Sequence, residues 1–224
     1  MFSMIACLFS GGKDSTLALH KAYELGIKAE LLITFKSENP NSYMFHYPNV
    51  EQTKLQAEAL GVKQVFVDTK GIKEEELKDL EKALKENNVT TIITGATYSR
   101  YQADRINKIA NELGIEHVAP LWHIDPLAEL NEIAEKYNAI ITSVSAEGLS
   151  TDLLGKRIDK DVIKELELAN KKYGINMLFE GGEAESFVLD APLFKKKINI
   201  RNAEKKIEGM NGVYIIKEAE LIEK

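Results

Sequence analysis

An alternation of two kinds of segment limits the fold more than any other feature of the chain. From residue 4 to residue 137, short β-branched or apolar runs take turns with longer runs whose apolar residues recur every three to four positions. The short runs read as buried strands and the longer ones as amphipathic helices. Strand and helix in strict alternation build an α/β architecture, because parallel neighbours need a crossover connection and not a tight turn. The pattern predicts strands over 4–9, 29–35, 64–68, 91–95 and 117–121, with helices near 14–25, 49–60, 73–87, 101–113 and 126–137. Gly26, Gly61 and Gly114 each follow a helical run, where a C-terminal cap belongs.

From Ala139 the text changes. Residues 139–145, AIITSVS, read as a strand, 159–173 as a helix, and the tail as a hairpin turning at Asn211-Gly212 into Tyr214-Ile215-Ile216. The expected organisation is a parallel-sheet domain over 1–137 and a smaller α+β domain over 138–224, divided by a change of pattern and not by a flexible linker.

Composition narrows the function. With 44% hydrophobic and 29% charged residues in 224, the chain is of soluble globular character and large enough for a substantial core. No apolar run approaches the roughly 20 residues of a membrane span, and no basic region with a cleavage site opens the chain, so a cytoplasmic location is expected. The single cysteine, Cys7, excludes disulfides and multi-cysteine zinc sites and reads as a buried spectator. A formal net charge of −6 argues against binding bulk nucleic acid.

The first strand runs into Ser10-Gly11-Gly12-Lys13-Asp14-Ser15 and then a helix. A helix start offers unpaired N–H groups and the positive end of the dipole, glycines allow close approach of an anion, and Lys13 adds a mobile charge. The spacing is neither G-x-x-x-x-G-K-[ST] nor G-x-G-x-x-G. Phosphate binding is the functional reading, and a polar strand-to-helix turn capped by Asp14 or Ser15 the plain one.

Ligands of an open parallel sheet gather beyond the carboxyl ends of its strands. Residues 36–48 form a loop longer than a crossover needs, and His46 there suits either a ligand contact or an ordinary loop hydrogen bond. After the fourth strand, Gly95 could admit an adenine or ribose and two arginines, Arg100 and Arg105, could face phosphate; a capped, charged helix start is the alternative. Farther on, Glu180-Gly181-Gly182-Glu183-Ala184-Glu185-Ser186 leads into an apolar strand. Three carboxylates so close repel one another and need a cation, ammonium or backbone donors to offset them; otherwise the segment is a solvated acidic turn.

These residues carry a resemblance. Ser10–Ser15 resembles the pyrophosphate loop of the N-type ATP pyrophosphatases. Tyr101-Gln102 with Arg105, Pro120-Leu121-Trp122, Gly148-Leu149, Leu154-Gly155, and above all Glu180 to Glu185 running into Val188-Leu189-Asp190-Ala191-Pro192-Leu193-Phe194, resemble the diphthine–ammonia ligase family over nearly the whole chain. Arg100, Ala103, Phe179 and Ala184 depart from the family pattern, which usually has a glycine at the place of Phe179.

The resemblance implies an adenine-nucleotide α-hydrolase-like (HUP, PP-loop) fold for the first domain and substrate binding by the second. It implies that the carboxylate of diphthine, a modified histidine of translation elongation factor 2, attacks the α-phosphorus of ATP to give an acyl adenylate, which ammonia converts to the amide with release of AMP. Ser10, Gly11, Gly12, Lys13, Asp14, Ser15, Thr34, Gly95 and Ala96 would bind ATP, with Mg²⁺ on ligands the sequence does not identify. Lys13, Glu180, Glu183 and Glu185 would carry the chemistry, the glutamates by capturing ammonium and taking its protons. His46, Ser99, Tyr101, Gln102, Arg105, Gly181, Gly182 and Asp190 would contact the acceptor. A tRNA-modifying pyrophosphatase, a small-molecule amide ligase and a non-catalytic nucleotide sensor remain as rivals, and a homodimer is left open.

Overall fold

The structure, a computed structural model, describes residues 3–37, 49–72 and 75–224, and only the backbone of Tyr101 and Gln102. His46 and most of its long loop lie outside the described residues. Contacts divide the chain into two units, Met1–Ser10 with Asp14–His123, and Gly11–Lys13 with Ile124–Lys224.

The first unit is a five-stranded sheet of β1 (Met4–Leu8), β2 (Leu31–Ser37), β3 (Lys63–Thr69), β4 (Val89–Ile93) and β5 (Glu116–Val118), in the order β3-β2-β1-β4-β5. Every pairing is parallel. The helices are α1 (Lys13–Glu24), α2 (Thr53–Leu60), α3 (Glu75–Glu86) and α4 (Arg100–Leu113). Consecutive residues such as Leu31 and Leu32, or Ile92 and Ile93, are all buried, so both sheet faces are covered, as parallel sheets require. On one face Leu31, Ile33, Phe35 and Ile92 pack with Leu80 and Leu84 of α3 and Ile106 and Ile109 of α4. The strand order reverses at β1, which places the switch point at the ends of β1 and β4.

Differences from the expected elements have local causes. The strand expected to reach 121 stops at Val118, just short of Pro120, which has no N–H for a ladder. The helix expected from 49 opens as a 3₁₀ turn over Val50–Gln52, because Asn49 sits at φ +71 and the α-helix proper begins at Thr53. Gly61 caps α2 at φ +69, its N–H bonding back to Ala57 and Glu58.

The second unit holds α5 (Pro126–Lys136), β6 (Asn138–Val144), α6 (Lys160–Tyr173), β7 (Ala184–Asp190), β8 (Lys197–Glu208) and β9 (Asn211–Ile222). Its strands form an antiparallel sheet in the order β7-β6-β9-β8. Asp125 caps α5 through Ala128 N–H with Pro126 at the first turn, and Asp159 caps α6 through the N–H groups of Asp161 and Val162. The hairpin exists, but its turn is Gly209-Met210, with Gly209 at φ +63, and Asn211 already pairs with Glu208. Asn211-Gly212 is therefore strand. A Cβ on Gly212 would stand 2.7 Å from Leu154 Cδ1, so the glycine serves packing and not turning.

Among the described residues, no helix is long and apolar enough to cross a membrane.

His117, on β5, is held at both ring nitrogens: Nδ1 lies 2.7 Å from Asn107 Oδ1 and Nε2 2.7 Å from Thr94 Oγ1. Nδ1 therefore donates and Nε2 accepts the Thr94 hydroxyl. Burial holds its pKa below the usual value. As pH falls, the unfolded chain takes the proton first, so stability should drop below about pH 6.5 and stop dropping once the folded imidazole also titrates. Denaturant midpoints measured between about pH 5 and pH 8 check this, since His117→Gln should flatten that part of the profile. An unchanged slope in the variant would rule His117 out.

Candidate active site

Strand β1 hands over to α1 through the Ser10–Ser15 loop. Phe9 N–H still bonds to Ile33 carbonyl at 2.9 Å, and Thr34 Oγ1 donates to Phe9 carbonyl at 2.7 Å while accepting from Gln64 Nε2 at 2.8 Å. Thr34 is 1% exposed, so these bonds make it a fastening for the strand end. Gly11 then turns the chain at φ +81. Ser15 Oγ accepts from Ser10 N–H at 3.3 Å and lies 3.1 Å from Ser10 Oγ, closing the loop on itself.

Gly95 has a packing reason. A Cβ there would lie 2.8 Å from both Asp14 C and Ser15 N, so glycine lets the end of β4 pass the first turn of α1. Ala96 is buried beside it in sequence, Ser99 and Arg105 are half-buried, and Arg100 is exposed. The side chains of Tyr101 and Gln102 are not among those described.

The second unit gathers Gly11–Lys13 with β7 and the segment before it. Lys13 N–H, at the start of α1, donates to Ser186 Oγ at 3.1 Å, and Val188 N–H donates to Gly11 carbonyl at 3.0 Å. Lys13 is 1% exposed. Its Nζ donates to Leu178 carbonyl at 2.8 Å and sits 5.0 Å from the Phe179 ring centroid. The structure thus brings Lys13 to the residues immediately before Glu180. Phe179 adopts φ +68, a left-handed conformation costly for a residue with a side chain.

The three glutamates have separate surroundings. Both oxygens of Glu183 accept backbone donors, Oε1 from Asn176 N–H and Oε2 from Gly181 N–H, each at 2.8 Å. The Glu183 carbonyl accepts Ser145 N–H at 2.8 Å, and Ser145 Oγ donates to Gly182 carbonyl. A Cβ on Gly181 would come within 2.8 Å of Glu183 Oε1, so the Gly-Gly turn is wrapped around this carboxylate. Glu185 and Ser186 are successive strand residues and point to opposite faces. Ser186 Oγ is the one that meets Lys13 N–H. Glu180 is half-buried next to Phe179. Asp190 pairs with Lys224 at 2.6 Å, and that ammonium also donates to Ala191 carbonyl.

Sequence reasoning had not singled out Leu178 or Ser186. Nothing in a sequence marks a carbonyl as a lysine's partner, although the i, i+2 spacing of Ser186 and Val188 is that of one strand edge meeting the loop. Cys7 is fully buried, and burial pushes its thiol up to about 12. Among the described residues, no three His, Cys, Asp or Glu side chains lie together to hold a metal.

A five-stranded parallel sheet with a serine-glycine-glycine-lysine loop at its switch point, followed by a smaller antiparallel unit, defines an α/β protein of the PP-loop type. The chain belongs to the diphthamide synthase family: residues 3–117 match the family's model of the diphthamide synthase N-terminal domain and residues 125–222 that of its C-terminal domain. It is 34% identical over 224 residues to the diphthine–ammonia ligase of Homo sapiens, covering 89% of this chain and 84% of that protein. The diphthine–ammonia ligase of Danio rerio is 34% identical over 220 residues, covering 88% of this chain and 86% of its own. That of Schizosaccharomyces pombe is 31% identical over 218 residues, covering 88% of this chain but 36% of a longer protein.

Proposed function

We propose that the chain amidates diphthine on translation elongation factor 2 with ammonium, consuming ATP through an acyl adenylate and releasing AMP and pyrophosphate in the cytoplasm. The observation that carries the reading is the stitching of the glycine-lysine loop to the glutamate segment, through Lys13 N–H to Ser186, Lys13 Nζ to Leu178 and Val188 N–H to Gly11. A site that first activates a carboxylate and then delivers ammonia to it needs its phosphate loop and its ammonium carboxylate side by side. The names of the relatives support the same substrate.

In the first step a carboxylate oxygen of the acceptor bonds to the α-phosphorus of ATP, and the bond to pyrophosphate breaks. Lys13 stabilises the charge gathering on the pyrophosphate. Its ammonium, which bonds a neutral carbonyl in this structure, prefers an anionic phosphate oxygen, since charge-assisted hydrogen bonds are about twice as strong as neutral ones. Magnesium would arrive on the triphosphate with water and phosphate oxygens as its main ligands, which suits a chain without a metal cage among its described residues; Asp14, in the first turn of α1, is the carboxylate of the loop itself. The ion supplies further charge neutralisation.

In the second step ammonia nitrogen bonds to the acyl carbon, and the carbon–oxygen bond to AMP breaks. Ammonium dominates at neutral pH, so a carboxylate must hold it and take its proton. Glu180 is assigned this role because it directly follows Leu178 and Phe179, which meet the Lys13 ammonium, whereas Glu183 is committed to backbone donors. Glu183 positions the turn. Cys7, buried and with its thiol pushed up to about 12, is not placed to serve as a glutaminase nucleophile, and the name of the relatives supports ammonia as the nitrogen donor.

The test is product analysis with purified chain. AMP, and not ADP, should form from ATP only when diphthine-bearing elongation factor 2 and ammonium are both present. AMP formation with a small carboxylic acid in place of the protein would favour the small-molecule ligase, and tRNA-dependent turnover the tRNA-modifying one.

A further inference from the structure

Tyr98, Trp122 and His123 form an aromatic stack that the mechanism above does not use. The His123 ring centroid lies 5.5 Å from that of Tyr98 with the planes 9° apart, and 4.9 Å from that of Trp122 with the planes 25° apart. His123 adopts φ +61, in the left-handed region that a residue other than glycine enters uncommonly. Its N–H donates to Thr97 carbonyl at 2.9 Å, tying the segment after β5 to the segment after β4. Tyr98 nevertheless remains 41% exposed and Trp122 37%. A left-handed residue thus coincides with large rings left partly in water, an arrangement that folding stability alone does not reward.

The stack lies at the carboxyl ends of β4 and β5, the edge of the parallel sheet that also carries the end of β1. Ligands of such sheets bind along that edge. Tyr98 directly precedes Ser99, where the acceptor-contacting segment assigned from the sequence begins. Tryptophan and tyrosine faces attract cations, and quaternary ammonium groups above all, because these cannot be held by hydrogen bonds. Diphthine carries a trimethylammonium group beside its carboxylate. We propose that the Tyr98–His123–Trp122 stack seats this trimethylammonium and so orients the carboxylate for adenylation, a specificity element that rests on the function proposed above.

Trp122 is the single tryptophan of the chain, so its fluorescence reports on the stack directly. Tetramethylammonium chloride should change the emission of the wild-type chain saturably, whereas sodium chloride at equal ionic strength should not. In turnover, Trp122→Ala should raise the KM for diphthine-bearing elongation factor 2 roughly 5- to 30-fold and leave the KM for ATP within about twofold, with Trp122→Phe recovering part of the loss. Tyr98→Ala should act in the same direction and serves if Trp122→Ala does not fold. An unchanged acceptor KM in the folded variants overturns the proposal, as does a rise in the KM for ATP alone, which would make the stack a nucleotide seat. If the wild-type chain fails to amidate diphthine, the functional reading falls on that result, and a tetramethylammonium response no different from that to sodium rejects the cation seat separately.

Discussion

Lys13→Met should lower amide formation at least ~10²-fold, the scale of removing one preorganised charge stabiliser. Methionine keeps the unbranched stem in a site that is 1% exposed and removes only the ammonium. That ammonium donates to the buried Leu178 carbonyl, so the substitution should also cost about 1–3 kcal/mol of stability, the usual penalty for a buried acceptor left unpaired. The two effects separate experimentally. Thermal unfolding reads the stability loss, and a single-turnover assay at saturating ATP reads the chemistry. Near-normal AMP production by the folded variant would remove the loop lysine from the mechanism.

The second large effect distinguishes Glu180 from Glu183. Glu180→Gln should still form acyl adenylate but convert it to amide at least ~10²-fold more slowly, the lower end of what a positioned general base supplies. Glu183→Gln should lose amide formation as well, but with a stability cost of about 1–3 kcal/mol, because its new NH₂ group would face the N–H of Asn176 or Gly181. Following acyl adenylate, AMP and amide separately over a range of ammonium concentrations decides between them. If Glu180→Gln makes amide at the wild-type rate, Glu180 is not the proton acceptor, and Glu183 and Glu185 must be reconsidered.

How much of this was legible beforehand depends on the range of the interaction. The order of strands and helices followed from apolar periodicity, because each strand and helix of the first unit satisfies its backbone and buries its face in a way its own residues announce. Gly61 as a helix cap was equally local. Asn211-Gly212 misled because a glycine needed for contact with Leu154, almost 60 residues away, looks the same in sequence as a glycine needed for a turn. The two candidate motifs were visible as Gly-rich loops with charge. Their internal division of labour was not, because it rests on which carboxylate the backbone engages. That Glu183 takes the N–H groups of Asn176 and Gly181 depends on how residues 176–183 fold back, and no spacing rule encodes it. The positive φ of His123 and Phe179 was hidden for the same reason, since neither residue type signals it.

The central claim is that this chain makes an amide through an acyl adenylate on a protein carboxylate. Diphthine-bearing elongation factor 2 with ¹⁸O in that carboxylate tests it in one reaction, by mass spectrometry of the nucleotide products. Attack on the α-phosphorus leaves one carboxylate oxygen on phosphorus when ammonia displaces AMP, so AMP should carry a single ¹⁸O and pyrophosphate none. Unlabelled AMP formed alongside amide, or label in a phosphate released with ADP, would contradict the account.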